Sequence, residues 1–373
     1  MKILFVGDLA VCGKGANPPY DDRTLEHFSD YDFRVVNFEA PISTEARPPA
    51  KVGPIISQNR GWGSAVAPFN VASLANNHVM DYGAEGLKAT LEALERRGIS
   101  TFGAGMNRDE AYRPLILEKD GQKVALLGAG EAQFGCLIED DAPGYAWIFH
   151  PLTIENIRRC KASGCTVVVL PHAGLEMESL PLPEWRNAYR QLIDAGADAI
   201  VASHPHVLQA REWHRGKPIY YSLGNFYFPL DKPRSDPRWY VSMGVVMEPA
   251  PNPVFEHVFF RFDRDGVRFH DLSQEFDELC RELQSPDYPQ KINRACLEAW
   301  DKFYQKMYMF HPVAKRYNPF RSLDRLFNAA VYLLKGNAWF DRVNEMRLYH
   351  NIRVETNRFV VERALALRNG LYR

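Results

Sequence analysis

Several features are missing from this chain of 373 residues, and each absence narrows what it can be. No run approaches the ~20 consecutive apolar residues of a membrane-spanning helix. The six cysteines (Cys12, Cys136, Cys160, Cys165, Cys280 and Cys296) form no CxxC pair and no regular framework, so they read as reduced thiols rather than zinc ligands or disulfides. From Met1 the chain passes directly into KILFVG, without a charged-then-apolar leader, and the expected location is the cytoplasm. There is no internal repeat and no low-complexity tract. Net charge is nearly absent as well, at −1, so no nucleic-acid partner is expected.

That balance is uneven along the chain. From Arg294 to Arg373 there are fifteen Lys/Arg against seven Asp/Glu. Most such runs are solvated helical faces. The alternative expectation is peripheral contact with anionic lipid at the inner face of the membrane, or with an acidic polymer. Arg342, Arg347, Arg353, Arg358, Arg363 and Arg368 recur there at intervals of five or six, which does not make one clean helical stripe.

What is present is an alternation of short apolar runs with helical segments, enough for a sizeable α/β core at 46% hydrophobic residues. Strands are expected at Ile3–Val6, Arg34–Phe38, Val71–Leu74, Lys123–Leu127, Thr166–Leu170, Ala199–Ala202 and Ile219–Leu223. Helices are expected over 85–97, where Leu87, Leu91 and Leu94 share a face that ends at Gly98, over 152–163, and over 184–195. Residues 43–63 read as a long Pro/Gly-rich loop. Residues 241–273 read as antiparallel strands, with Asp263-Arg264-Asp265-Gly266 as a turn. Beyond a boundary expected near 275, the segments 293–308, 321–335 and 355–370 look helical. This gives two parts: a catalytic-type domain over 1–274 and a basic helical extension over 275–373.

Five of the apolar runs end in ligand-type or acid–base side chains: Asp8; Asn37 and Glu39; Asn76, Asn77 and His78; His172; His204 and His206. The ends of parallel strands converge on one edge of a sheet, where open α/β sheets bind ligands. Carboxylates, carboxamides and imidazoles gathered there suit a pair of divalent cations and a water to be activated. The most telling fragments are Asn76-Asn77-His78, because such groups are costly to bury unpaired, and His204-Pro205-His206, where proline stiffens the backbone between two imidazoles. His27, His150, His214, His257, His270, His311 and His350 lie outside the pattern and read as structural or surface residues. Gly103-Ala104-Gly105 is a weak phosphate-loop signal and reads as a tight turn.

The motifs NFEAPIS, LANNHVMDYG, FGAG, PHAGLEM, DAGADAIVASHPHVLQ and PIYYSLGNF occur in the order of the CapA family, named for poly-γ-glutamate capsule synthesis. The resemblance covers about residues 1–250. That family is similar to the calcineurin-like metallophosphoesterases, which implies layered sheets flanked by helices, with the helical C-terminal extension outside the match. The resemblance also implies two divalent metal ions (Mn, Fe or Zn), with Asp8, Glu39 and His206 at the first and Asn77, His172 and His204 at the second, Glu39 bridging. It implies His78 as general acid, and Asn37, Asn76 and Asn225 as outer or substrate-orienting groups. Two departures stand out: Asp8-Leu9-Ala10 replaces the usual Asp-x-His, leaving the first metal a ligand short, and Ala173 stands where an aromatic is usual. The implied function is a metal-dependent phosphoesterase acting on a phosphorylated or polyanionic substrate, with other capsule-synthesis proteins as partners. A γ-glutamyl amide hydrolase and a non-catalytic scaffold subunit of the capsule machinery are the alternatives.

Overall fold

The computed structural model describes residues 1–15, 19–42, 49–51, 53–305, 346 and 348–371. They divide into two compact units, Met1–Lys51 with Ile55–Pro286, and Val52–Pro54 with Asp287–Arg373.

In chain order the strands of the first unit are β1 (Ile3–Leu9), β2 (Phe33–Phe38), β3 (Val71–Ser73), β4 (Ser100–Phe102), β5 (Ala104–Gly105), β6 (Leu115–Lys119), β7 (Gln122–Gly130), β8 (Cys136–Leu137), β9 (Gly144–Ala146), β10 (Thr166–His172), β11 (Ala199–Val201), β12 (Arg211–His214), β13 (Lys217–Tyr220), β14 (Asn225–Tyr227), β15 (Val241–Glu248), β16 (Val254–Asp263) and β17 (Gly266–Phe269). The first sheet runs β17-β16-β15-β1-β2-β3-β4, with β14 also on β1; the second runs β12-β13-β11-β10-β7-β6; β5, β9 and β8 make a small third sheet. β1 to β4 are parallel neighbours, and so are β7, β10, β11 and β13.

Strand periodicity explains the layering. Successive residues point to opposite faces, so Ile3 and Phe5 enter one core while Leu4 and Val6 enter another. The first core lies between the sheets, joining Ile3, Phe5, Val35 and Val71 to Leu126, Val168 and Ala199. The second joins Leu4, Val36 and Ala72 to Phe28 of helix α1 (Asp22–Ser29) and to Leu87 and Leu94 of α3 (Gly83–Glu95). α2 is the short helix Trp62–Val66 and α4 is Arg108–Tyr112. α3 stops before Gly98, whose φ of 71° suits glycine. α5 (Pro151–Ala162) and α6 (Pro183–Asp194) pack on the second sheet, α6 through Trp185, Ala188, Tyr189, Leu192 and Ile193. Each of these two helices starts with proline in its first turn, where a missing N–H costs nothing. The result is an α/β fold of two sheets flanked by helices.

The stretch 241–273 is antiparallel as expected, and it extends the first sheet through β15 on β1. Helix α7 (Ser273–Gln284) straddles the boundary expected near 275 and belongs to the first unit, because Phe276 and Leu283 are buried and Phe276 packs on Phe259. The second unit holds α8 (Tyr288–Ala299), a π-helical turn over Trp300–Tyr304 and α9 (Glu355–Arg368). Tyr304 Oη donates to Asn357 at 2.8 Å and Arg363 donates to Asn293 at 3.3 Å. The helix expected over 321–335 lies outside the described residues, as do Arg342 and Arg347. Among the described residues no helix is long and apolar enough to cross a membrane, and none of the six cysteines is in a disulfide.

Candidate metal centre

Two sheet edges meet at the cluster. β1 and β2 set Asp8 beside Asn37, and β14 sets Asn225 on the other side of Asp8. The turn after β3 supplies Asn76, Asn77 and His78. From the second sheet come His172, the last residue of β10, and His204 and His206, just beyond β11. Gly7 makes the first junction possible. A Cβ there would lie 1.9 Å from the Gly224 carbonyl oxygen, and the Asp8 N–H donates to that same oxygen at 3.0 Å. His204 and His206 sit at φ values of 104° and 59°. Positive φ in a β-carbon-bearing residue is strained and is held only when the surroundings demand it.

All ten residues expected at the site are buried and linked by short contacts. Asn37 Nδ2 donates to Asp8 Oδ1 at 2.7 Å and lies 3.1 Å from His172 Nδ1. His172 Nε2 is 3.0 Å from Asn77 Oδ1 and 3.1 Å from His204 Nδ1. His206 Nδ1 is 3.0 Å from Asn225 Oδ1 and 3.4 Å from Asp8 Oδ2. Glu39 Oε1 is 3.8 Å from His172 Nε2, 3.9 Å from His206 Nε2 and 4.0 Å from His78 Nε2. Ligand atoms of Asp8, Glu39 and His172 lie within 4.8 Å of one another.

The cluster is short of positive charge. Both Glu39 carboxylate oxygens are buried without a hydrogen-bond partner. Burial pushes its carboxyl above the usual range; His206 pulls against this and Asp8 adds to it. Burial works against a charge on His206, but Glu39 and Asp8 hold that imidazole above its ordinary value. Burial, with His204 and His206 beside it, drives His172 well below. A buried unpaired carboxylate is costly, and a cation among these oxygens and nitrogens removes the cost. Donor atoms ~3 Å apart are what bonds of roughly 2.0–2.2 Å to one ion produce, so the residues present fit divalent cations.

Asn76 and Asn225 brace the centre from within. Asn76 donates to the Phe38 carbonyl at 3.0 Å and accepts from the His78 N–H at 3.2 Å. Asn225 Nδ2 donates to the carbonyls of His206 and Trp239. Its Oδ1 therefore receives the His206 Nδ1 proton, and Nε2 is the ring nitrogen that faces Glu39. Both are fully buried and hydrogen-bonded to their neighbours.

Four residues escaped sequence reasoning. Asp81 Oδ2 is 2.6 Å from His78 Nδ1 and holds that ring, while burial lowers the His78 pKa and Asp81 raises it. Lys51, buried, reaches Asp81 Oδ1 at 2.9 Å and the Asn77 carbonyl at 3.1 Å. Glu131 Oε1 lies 3.3 Å from His204 Nε2, and Gln133 bonds both Glu131 and Asn77. Glu131 was findable: it follows β7 directly, as Glu39 follows β2, but the strand was expected to end at Leu127. Asp81 stands in the NNHVMD motif. Nothing in the Pro/Gly-rich loop marks Lys51.

With this geometry established, comparison with known proteins identifies the class. The family pattern of the bacterial capsule synthesis protein PGA_cap matches residues 2–230, and the chain belongs to that family. It is 34% identical over 221 residues to the capsule biosynthesis protein CapA of Bacillus anthracis, covering 56% of this chain and 54% of that protein. It is 34% identical over 241 residues to the PGA biosynthesis protein CapA of Bacillus subtilis (strain 168), covering 61% and 63%. The chain thus spans between half and two thirds of the length of these relatives. Among solved structures it is similar to a putative 5'-nucleotidase of Staphylococcus aureus (TM-score 0.42, 15% identity, 76% of this chain and 58% of that one). It is also similar to a phosphatase of Mycoplasma pneumoniae (TM-score 0.43, 14% identity, 78% and 98%).

Proposed function

We propose that this capsule-family chain is a metal-dependent hydrolase acting on a phosphate ester linked to capsule or cell-surface polymer biosynthesis. The observation that carries the reading is Glu39, whose two buried oxygens have no partner inside a ring of imidazoles. Asp8, Glu39 and His206 would hold one divalent cation, and Asn77, His172 and His204 a second, with Glu39 shared. Manganese, iron and zinc all accept this mixed O/N set. When bound, such a pair supplies Lewis acidity and lowers the pKa of a water.

The chain's own residues do the rest. Asp81 accepts the His78 Nδ1 proton, so Nε2, on the Glu39 side of the ring, is the nitrogen left to exchange a proton with substrate; it gives one to a departing alkoxide from the imidazolium form, which burial opposes and Asp81 favours. Lys51 neutralises Asp81 and ties it to the backbone of Asn77. The buried walls exclude water from this network and strengthen each of its contacts.

A panel of para-nitrophenyl phosphate mono- and diesters with added Mn²⁺ tests the reading. Ester turnover is expected, and His78→Ala should lower it ~10²–10⁴-fold with metal content unchanged. Turnover of γ-glutamyl peptides alone would replace the phosphoesterase with an amidase. No turnover together with no bound metal would leave a scaffold subunit.

The substrate we expect is phosphorylated or polyanionic. Of the tail arginines, Arg353 packs on the Tyr349 ring, Arg358 on Phe359, Arg363 bonds Asn293 and Arg368 pairs with Asp301. Peripheral contact with anionic lipid through the basic tail is the further expectation. Co-sedimentation of the full chain with neutral and anionic vesicles checks it, and equal recovery with both would end the idea.

A further inference from the structure

Glu131 and Gln133 belong to no motif, yet they join two of the residues assigned above to the second cation. The contacts form a chain: Asn77 Nδ2 to Gln133 Oε1 at 3.2 Å, Gln133 Nε2 to Glu131 Oε1 at 3.1 Å, and Glu131 Oε1 to His204 Nε2 at 3.3 Å. Glu131 is 1% exposed and reached directly from the end of β7, with its N–H on the His172 carbonyl at 3.2 Å and the Tyr145 hydroxyl on its own carbonyl at 2.8 Å. Its position is therefore fixed by backbone on one side and a tyrosine on the other.

The chemistry of a carboxylate gives this chain a direction. An ionised carboxylate only accepts hydrogen bonds. Facing it, His204 Nε2 must carry the proton, so Nδ1 presents a lone pair. On the other arm Gln133 must offer its NH₂ to Glu131. Its carbonyl then points at Asn77 and accepts from the Asn77 NH₂, which turns Asn77 Oδ1 the other way. The two bared acceptors, His204 Nδ1 and Asn77 Oδ1, are the two atoms lying 3.1 and 3.0 Å from His172 Nε2. One side chain, Glu131, thus sets both the imidazole tautomer and the amide orientation.

We infer that Glu131, acting through Gln133, is a positioning residue that polarises the second cation site, turning His204 and Asn77 so that both present lone pairs to one divalent ion. The inference rests on the hydrolase reading for the existence of that ion, but not on any turnover. Outer partners of this kind are worth about 10–100-fold in metal affinity. Because the clamp touches one site and not the other, its loss weakens one binding step and leaves the other as it was.

The test is a calorimetric Mn²⁺ titration of the full chain after chelator treatment. Wild type should take up two ions, and Asn77→Ala should weaken the step that belongs to the second site. Gln133→Leu should weaken that same step about 10–100-fold and leave the other step and the thermal midpoint of the metal-free protein unchanged. Gln133 is only half-buried, so the variant is expected to fold. Glu131→Gln, of the same shape, should show the same selective loss to a smaller degree. In an Asn77→Ala background Gln133→Leu should add little, because the amide that Gln133 turns is already gone while Glu131 reaches His204 directly. Two ions bound by Gln133→Leu with wild-type affinity, or equal weakening of both steps, would overturn the clamp while sparing the hydrolase reading. A wild-type chain that binds no Mn²⁺ would overturn both.

Discussion

The two sheets bring different things to the centre. The first sheet's edge supplies charge: Asp8 and Glu39, with Asn76 and Asn225 bonding backbone groups nearby. The second supplies direction: His172, His204 and His206, each with one ring nitrogen engaged by Asn37, Glu131 or Asn225 and the other turned inward. Backbone at positive φ stands on both edges, at His204 and His206 on the second and at Ala40, next to Glu39, on the first, but only Glu39 has neither oxygen engaged. The engaged ring nitrogens therefore lie on one side of the centre and the unmet charge on the other. A pair of cations is what reconciles them.

The sharpest way to break this comparison is to remove the unmet charge. Glu39→Gln should abolish binding of both ions, read by elemental analysis. The metal-free variant should also be more stable than metal-free wild type, by about 1–4 kcal/mol, because a buried uncompensated carboxylate has been taken away. A less stable variant would mean that Glu39 is satisfied by the protein alone.

Removing a charge that the second sheet does satisfy should have the opposite sign. Glu212 on β12 is 5% exposed and accepts from Arg186 at 2.6 Å and Arg190 at 2.6 Å. Burial works against its charge, but the two guanidinium groups hold its carboxyl below the ordinary value. Its contribution is thus present above the ordinary glutamate pKa and is lost as pH falls through the lower folded value. Glu212→Ala should cost roughly 3–5 kcal/mol near neutrality, measured by urea denaturation, and that difference should shrink in acid. A difference that grew on acidification would contradict the assignment.

Gly7→Ala probes the junction that sets Asp8. The new methyl meets the Gly224 carbonyl oxygen at 1.9 Å, backbone against backbone, and should cost about 1–3 kcal/mol while weakening the first cation more than the second. Smallest of all is Lys123→Ala, which breaks the exposed 3.5 Å pair with Glu118 on the second sheet. A change of less than ~1 kcal/mol is expected; a larger one would show that the outer strands are coupled to the centre more tightly than burial implies.

Much of this centre could be read from the chain because parallel strands end at a common edge, so a polar side chain closing an apolar run reports its own position. Asp8, Glu39, His172 and the His204–His206 pair were all visible that way. What stayed hidden had no such punctuation. Lys51 comes from a loop whose course no periodicity dictates, and Asp81 lies one helical turn past a residue already accounted for. Glu131 was obscured because glycine and alanine in Gly128-Ala129-Gly130 carry no strand signature, although β7 continues through them. The fold was legible in its strands and helices but not in its division. Strand periodicity sends Ile3 and Leu4 to opposite faces but does not say which elements cover each face, and a helix such as α7 declares its allegiance only through Phe276 and Leu283.

The most direct test of the account is the number of divalent ions held per chain by wild type and by Glu39→Gln after incubation with Mn²⁺ and removal of free metal. Two ions in the wild type and none in the variant is the expected result. Equal metal content in the two proteins, or none in the wild type, would mean that this buried carboxylate is not the group around which the centre is built.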